Sequence, residues 1–251
     1  MSLTPPDPWA PLRALTAARI ALGRAGSSLP TGHHLAFQLA HAQARDAVHH
    51  PADLDAIAAT LRAAGGAPVV VASAAPDRQA YLRRPDLGRR LGAEGAAALA
   101  AAAPVGGADL AVVIADGLSG GAVERHGAPL LAALTPMLAG QGWVVAPPVL
   151  ARLGRVALGD EIGAALGARL VLVLIGERPG LSAADSLGAY LTFEPRAGRT
   201  DAERNCVSNI RPGGLPVPAA ARKLAWLLTE ARRRRCTGVT LKDESDATLL
   251  R

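Results

Sequence analysis

Apolar positions along this chain follow two patterns. Short continuous runs recur at VVVA from residue 69, LAVVIA from 110, WVVAP from 143 and LVLVLI from 170. Between them lie longer stretches whose apolar residues return with helical spacing. Continuous rather than alternating apolarity means that both faces of a strand are covered, as in parallel sheets. AYLTFEP from 189 and GVTLKD from 238 are predicted to add two further strands. Helices are predicted over 31–49 with Thr31 as cap, and from Pro51 to near Gly65. Others are expected around Tyr81, over 86–103, from Ser119 to about Ala139 and over 159–166, with a long one from Pro216 and Pro218 to about Arg235. Ser182 with Asp185, and Thr200 with Glu203, have capping-box spacing, the second predicting a helix that contains Cys206.

Strands alternating with helices predict an α/β fold, a Rossmann-like doubly wound mainly parallel sheet with right-handed crossovers. Residues 1–66 hold no strand and read as a helical N-terminal arm facing a partner, its first 17 residues a proline-rich lead-in. Residues 67–251 form the Rossmann-like domain.

Composition narrows the function classes. Half of the 251 residues are hydrophobic but only 3% aromatic, so the core is aliphatic and alanine-rich. The formal charge of +6 comes from 27 basic residues, of which only Lys223 and Lys242 are lysine. The arginines are scattered, a pattern of GC-rich coding, with no aromatic-interleaved stripe, so no nucleic-acid partner is expected. The longest apolar-looking stretch, 95–114, is broken by Pro104, Gly106, Gly107 and Asp109, so no membrane span is expected. The proline-rich start lacks the apolar core of a secretory signal. Cys206 and Cys236 form neither a disulfide framework nor a CxxC metal site, which suits a reducing, intracellular setting.

Candidate chemistry gathers at strand ends, where open α/β sheets place their ligands. Asp116 and Glu177 each follow an apolar strand and a small residue. They are candidates for acid–base work or for accepting hydrogen bonds from a ligand; alternatively, Asp116 caps a turn and Glu177 pairs with an arginine. No GxGxxG follows the first strand and no GxxxxGK[ST] occurs, which disfavours a plain dehydrogenase or nucleotide hydrolase. His33, His34, His41, His49 and His50 crowd the arm without metal-ligand spacing and read as surface or interface residues. Cys206, in a polar segment bounded by Gly213 and Gly214, is either a nucleophile without a visible base or a structural thiol. The arginines at 232–235 close a helix at its negative dipole end. Read alone, the residues place a ligand site around Asp116, Glu177 and Cys206.

Eight segments, in order and spanning nearly everything from 18 to 243, carry a family resemblance. They are ARIALGRAG at 18–26, ARDAVH at 44–49, YLRRPDLGRRL at 81–91, ADGLS at 115–119, GRVALGDEIG at 154–163, GERPGLSAADSLGAY at 176–190, RNCVSNIRPGG at 204–214 and TGVTLKD at 237–243. Together they resemble the small (light) subunit of ethanolamine ammonia-lyase. The resemblance implies a hetero-oligomer with a large subunit that holds ethanolamine and most catalytic side chains, with adenosylcobalamin lying between the chains. It implies cofactor contacts at Val156, Glu177 and Cys206, and neither a catalytic side chain nor a metal ligand from this chain. The chain has no D-x-H-x-x-G loop, so base-on binding is expected, with dimethylbenzimidazole kept on cobalt. The alternative is a corrinoid-binding assembly module without a direct catalytic role. The first matching segment begins by residue 18, without the longer extension linked to encapsulation, so a cytoplasmic complex is expected ahead of one in a bacterial microcompartment.

Overall fold

The computed structural model describes residues 7–16 and 18–245; residues 1–6 and 17 of the lead-in lie outside the described residues. The apolar runs form one six-stranded sheet. Its strands are β1 (Val69–Ala72), β2 (Ala108–Ala115), β3 (Val149–Arg152), β4 (Ala168–Gly176), β5 (Leu187–Phe193) and β6 (Arg204–Ile210). Their order is β1-β3-β2-β4-β5-β6. The first four neighbours are parallel; β5 runs against both β4 and β6 and is the one reversed strand.

The strand period of two divides the core. In β2 and β4, Leu110, Val112, Ile114, Leu170, Leu172 and Leu174 face one side; Ala111, Val113, Ala115, Val171, Val173 and Ile175 face the other. The larger set packs against α2 (Leu54–Ala63), α5 (Gly120–Ala139) and α7 (Val217–Arg234). The smaller set meets α4 (Gly95–Ala102) and α6 (Leu158–Ala165). Helix α6 lies very close to the sheet because Gly163 lets it approach, where an added Cβ would sit 3.1 Å from the Val171 Cβ. Asp53 caps α2 by accepting the Ala56 N–H at 2.9 Å, and Leu54, Ile57, Ala58 and Leu61 join the core. By contrast α1 (Thr31–His49) buries only Ala40 and exposes Leu35, Phe37 and Leu39.

A buried ion pair ties α6 to the outer strand. Arg204 donates to both carboxylate oxygens of Asp160 at 2.7 and 2.6 Å, and also to Thr192 Oγ1 at 2.9 Å. Both charged side chains are almost wholly enclosed.

Several expectations are corrected. The third strand is not WVVAP but Val149–Arg152, because Pro147 and Pro148 lack the N–H that a ladder needs. Val145 makes only an isolated bridge to Leu110. Cys206 lies on β6, not in a helix: the Thr200–Glu203 capping box forms, but it closes a single 3-10 turn (Asp201–Glu203) before the chain pairs with β5. Asn and Ser are poor helix residues, and Cys, Val and Ile suit a sheet. GVTLKD is not a strand: Asn205 holds it as a 3-10 turn (Gly238–Thr240), accepting the Gly238 N–H at 2.8 Å and donating to Leu241 O at 2.7 Å. Ser182 and Asp185 open no helix. Pro30, not Thr31, precedes α1, and α2 begins at Leu54 after Asp53.

Replacing Asp160 with Ala strands the Arg204 guanidinium in the core. The expected loss is about 3–5 kcal/mol of stability, read as a lower urea midpoint with the slope unchanged. An unaltered midpoint would show that the pair does not hold the outer strand.

Candidate functional site

The connection after β2 leads to α5 on one face of the sheet, and that after β3 leads to α6 on the other. Such a divergence opens a crevice at the carboxyl ends of the strands. A cleft of about 440 Å³ lies there, lined by Tyr81, Arg155, Val156, Glu177, Arg178 and Tyr190 among others. A second hollow of about 490 Å³ shares Leu118, Arg155 and Arg178 with it and extends to His41 and Arg45 on α1. Glycine is required at the rim: Gly117 has φ +58°, and an added Cβ on Gly176 would sit 2.8 Å from Asp116 O. The Leu118 N–H donates to Gly176 O at 2.9 Å, locking the two strand ends together.

Glu177 stands at the end of β4 with its carboxylate half used. Oε2 accepts the Asn209 N–H at 3.1 Å, and Asn209 presents that N–H from a left-handed backbone, φ 57°. Oε1 lies beside Gly188, where a methyl group would come within 3.0 Å of it. Across the β5–β6 ladder Tyr190 faces Cys206, and thiol and phenol are hydrogen-bonding neighbours. Burial pushes the Tyr190 hydroxyl up, reinforced by Cys206 and Glu177. Burial also pushes the Cys206 thiol up, the nearby Glu177 charge adding to it against the lowering hydrogen bond from Tyr190. A thiol held protonated is a weak nucleophile. Cys206 as a residue is nonetheless exposed on the strand, so it is not a core thiol either.

Asp116 does not line the cleft but supports it from behind. It is buried, accepts the Gly154 N–H at 3.1 Å and faces Arg78 at 3.8 Å. Burial raises its pKa, with the Leu153 and Gly154 amides and Arg78 opposing. Arg78, on α3 (Arg78–Arg83), donates to Gly117 O at 2.7 Å and to Val48 O at 2.6 and 3.0 Å. Tyr81 is fully buried, donates to Gly154 O at 3.1 Å and has its pKa pushed up to about 12 by burial. Arg78 and Arg155 lie over its ring at 4.9 and 4.1 Å.

Of the residues singled out from sequence, Val156 and Glu177 share one cleft, Cys206 touches its Tyr190 wall, and Asp116 sits beneath. Tyr81, Arg155, Arg178 and Tyr190 were not anticipated, although each arginine is the immediate neighbour of a marked residue. Asp116 is buried and does not line the cleft that holds Glu177, so the two do not share a substrate site as an acid–base pair. Of the histidines, His50 contacts Glu124 at 3.1 Å and His33 lines a shallow apolar hollow with Phe37. Among the described residues no cluster of His, Cys, Asp or Glu could hold a metal ion, and no helix is long and apolar enough to cross a membrane. The cleft offers a carboxylate acceptor, guanidinium donors and a phenol wall, with no nucleophile–base pair. That donor set recognises amides, hydroxyls and anions.

A model of the family described as ethanolamine ammonia-lyase light chain (EutC) matches residues 6–242. Among similar proteins, the ethanolamine ammonia-lyase small subunit of Xanthomonas campestris pv. campestris (strain ATCC 33913) is 60% identical over 250 residues, covering 98% of this chain and 92% of the relative. The proteins of that name from Ralstonia nicotianae and Azotobacter vinelandii are each 58% identical over 246 residues, covering 97% of this chain and 91% of theirs.

The raised pKa of Asp116 gives a signed expectation. An acid whose folded pKa exceeds its unfolded one destabilises the fold once ionised, so stability falls as pH rises from the unfolded value through the folded one. Asp116→Asn keeps an acceptor for Gly154 and removes the titration. The stability of the wild type relative to this variant is therefore expected to decline from acid to neutral pH in paired urea titrations. A constant difference would contradict the burial of the charge.

Proposed function

The chain belongs to the ethanolamine ammonia-lyase light-chain family, and we propose that it is the small subunit of a two-chain adenosylcobalamin-dependent lyase whose cofactor lies against the carboxyl rim described above. The observation that carries this reading is the convergence of Val156 and Glu177 on one cleft, beside the Tyr190–Cys206 pair. The residues present fit a corrinoid, whose periphery is rich in amides and whose nucleotide tail is polar. Glu177 Oε1 is an acceptor for amide N–H groups, Val156 supplies an apolar contact, and Arg155 and Arg178 add cationic donors at the same wall. The cleft is of a size that holds a drug-like ligand and is too small for a whole corrinoid, which suits a shared site whose other wall is the large subunit.

When bound, adenosylcobalamin supplies the radical chemistry by which ethanolamine is deaminated to acetaldehyde and ammonia. This chain's residues orient and shield. Glu177, held by the Asn209 N–H, accepts from an amide or ribose hydroxyl and does not act as a general base. Cys206 stays protonated and contributes packing. The family resemblance assigns catalytic side chains to the partner, and the absence of a D-x-H-x-x-G loop supports base-on binding. The segment to residue 66 is read as partner-facing, in keeping with the exposed Leu35, Phe37 and Leu39 of α1. A cytoplasmic hetero-oligomer, with encapsulation in a microcompartment as the alternative, completes the proposal.

The test is co-expression with the large-subunit gene, followed by equilibrium binding of adenosylcobalamin and turnover of ethanolamine. Glu177→Gln removes a charge-assisted contact of about 1.5–3 kcal/mol, so binding is expected to weaken roughly tenfold to a hundredfold while the two chains still co-purify. Unchanged binding and turnover in Glu177→Gln and Cys206→Ala would instead favour an assembly module. A cobalt-bound histidine nitrogen, seen by electron paramagnetic resonance with labelled histidine, would refute base-on binding.

A further inference from the structure

Two guanidinium groups line both hollows of the rim without a carboxylate partner. Arg155 donates through Nη2 to Tyr81 O at 3.2 Å and lies over the Tyr81 ring, but its buried Nε has no hydrogen-bond partner. Arg178 makes no hydrogen bond or ion pair with a described residue. Glu177 is the one carboxylate lining either hollow, and one of its oxygens is committed to Asn209. Burial lowers the pKa of Arg155; Tyr81 opposes this, and the positive charges of Arg78, Arg89 and Arg178 add to the lowering. Elsewhere in the fold the arginines at comparable depth are neutralised: Arg204 by Asp160, Arg199 by Glu203. A partly buried guanidinium with an unsatisfied Nε, beside a second and exposed one, calls for an anion, and guanidinium is the side chain suited to a phosphodiester.

We propose that Arg155 and Arg178 form a phosphate subsite that binds the phosphodiester of the cofactor's nucleotide loop, making them specificity residues for a complete cobalamin over a corrin lacking that loop. The proposal rests on the placement of the corrinoid at this rim. Arg155 is pre-ordered by its stack on Tyr81, so its guanidinium enters the contact without losing rotamer freedom on binding. Arg178, exposed at the mouth, closes on the phosphate from solvent. Glu177 faces the amide side of the ligand, so acceptor and donors act on chemically different parts of one molecule.

The experiment uses the complex of this chain with its large subunit and measures dissociation constants from corrin absorbance, without turnover. The probes are cyanocobalamin and dicyanocobinamide, which share the corrin but differ in the phosphate, ribose and base. Arg155→Met and Arg178→Met are each expected to weaken cyanocobalamin roughly tenfold to a hundredfold and to leave dicyanocobinamide within about twofold. Inorganic phosphate is expected to compete with cyanocobalamin but not with dicyanocobinamide. Equal losses for both corrinoids, no loss for either, or phosphate binding without competition would each overturn the subsite. Because Arg155 packs on a core tyrosine, Arg178→Met carries the test if the Arg155 variant does not assemble. A wild-type complex that binds neither corrinoid would overturn the placement of the cofactor itself, whereas one that binds both while the arginine variants are silent would overturn only the subsite.

Discussion

A buried carboxylate organises the rim of this sheet. Ionised Asp116, away from water, is costly unless its oxygens are satisfied, and the partners it finds are the Gly154 N–H and the Arg78 guanidinium. Arg78 extends the constraint by donating to Gly117 O and Val48 O. Four segments are thereby held at one point: the end of α1, the start of α3, and the loops after β2 and β3. The consequences are geometric. Leu153 is held at φ 54°, and Gly154 is closely packed, since a Cβ there would lie 3.1 Å from the Ala115 Cβ. The chain then delivers Arg155 onto the Tyr81 ring and Val156 into the cleft.

The outer half of the rim depends on different devices. The Asp160–Arg204 pair fixes where β6 starts, and the left-handed Asn209 fixes where it ends. Between them Cys206 is set opposite Tyr190, and the Asn209 N–H meets Glu177. The two halves are joined by the β2–β4 pairing, and at the rim by the close contact of Gly117 with Gly176 and the Leu118 N–H to Gly176 O hydrogen bond. A site assembled this way is rigid along its floor and open above it. That suits a wall of a binding site better than a complete one, because charge-assisted contacts strengthen when a second surface excludes water.

The sheet was largely legible in the sequence. Continuous apolar runs marked β1, β2 and β4, because strands covered on both faces need no polar alternation. The helices α5, α6 and α7 were legible from helical periodicity with glycine and proline punctuation. The failures share a cause: the local signal was outvoted by contacts remote in sequence. Residues 204–210 follow a genuine capping box at Thr200–Glu203, but the strand exists because β5 presents a free edge and Asp160 waits for Arg204. The terminal GVTLKD carries β-branched residues, yet the Asn205 side chain takes the Gly238 N–H that a ladder would need. At the site, Glu177 and Val156 were visible because they end strands or fall in family segments. Arg155 and Arg178 were adjacent to both, yet a scattered arginine in an arginine-rich chain carries no signal until its lack of a partner can be seen in three dimensions.

The protonation states at the rim follow from how each group is held. Glu177 accepts an amide N–H at one oxygen, while Tyr190 and Cys206 are pushed toward their neutral forms by burial and by the nearby Glu177 carboxylate. One anion and two neutral donors therefore stand side by side, with cationic Arg155 and Arg178 opposite. Such a wall has direction but little reactivity: its phenol and thiol are held in their neutral forms. On the proposed reading that is a functional requirement and not a deficiency. A surface beside a radical reaction serves best when its groups bind tightly to the periphery of the cofactor and offer its reactive centre no competing acid, base or thiolate.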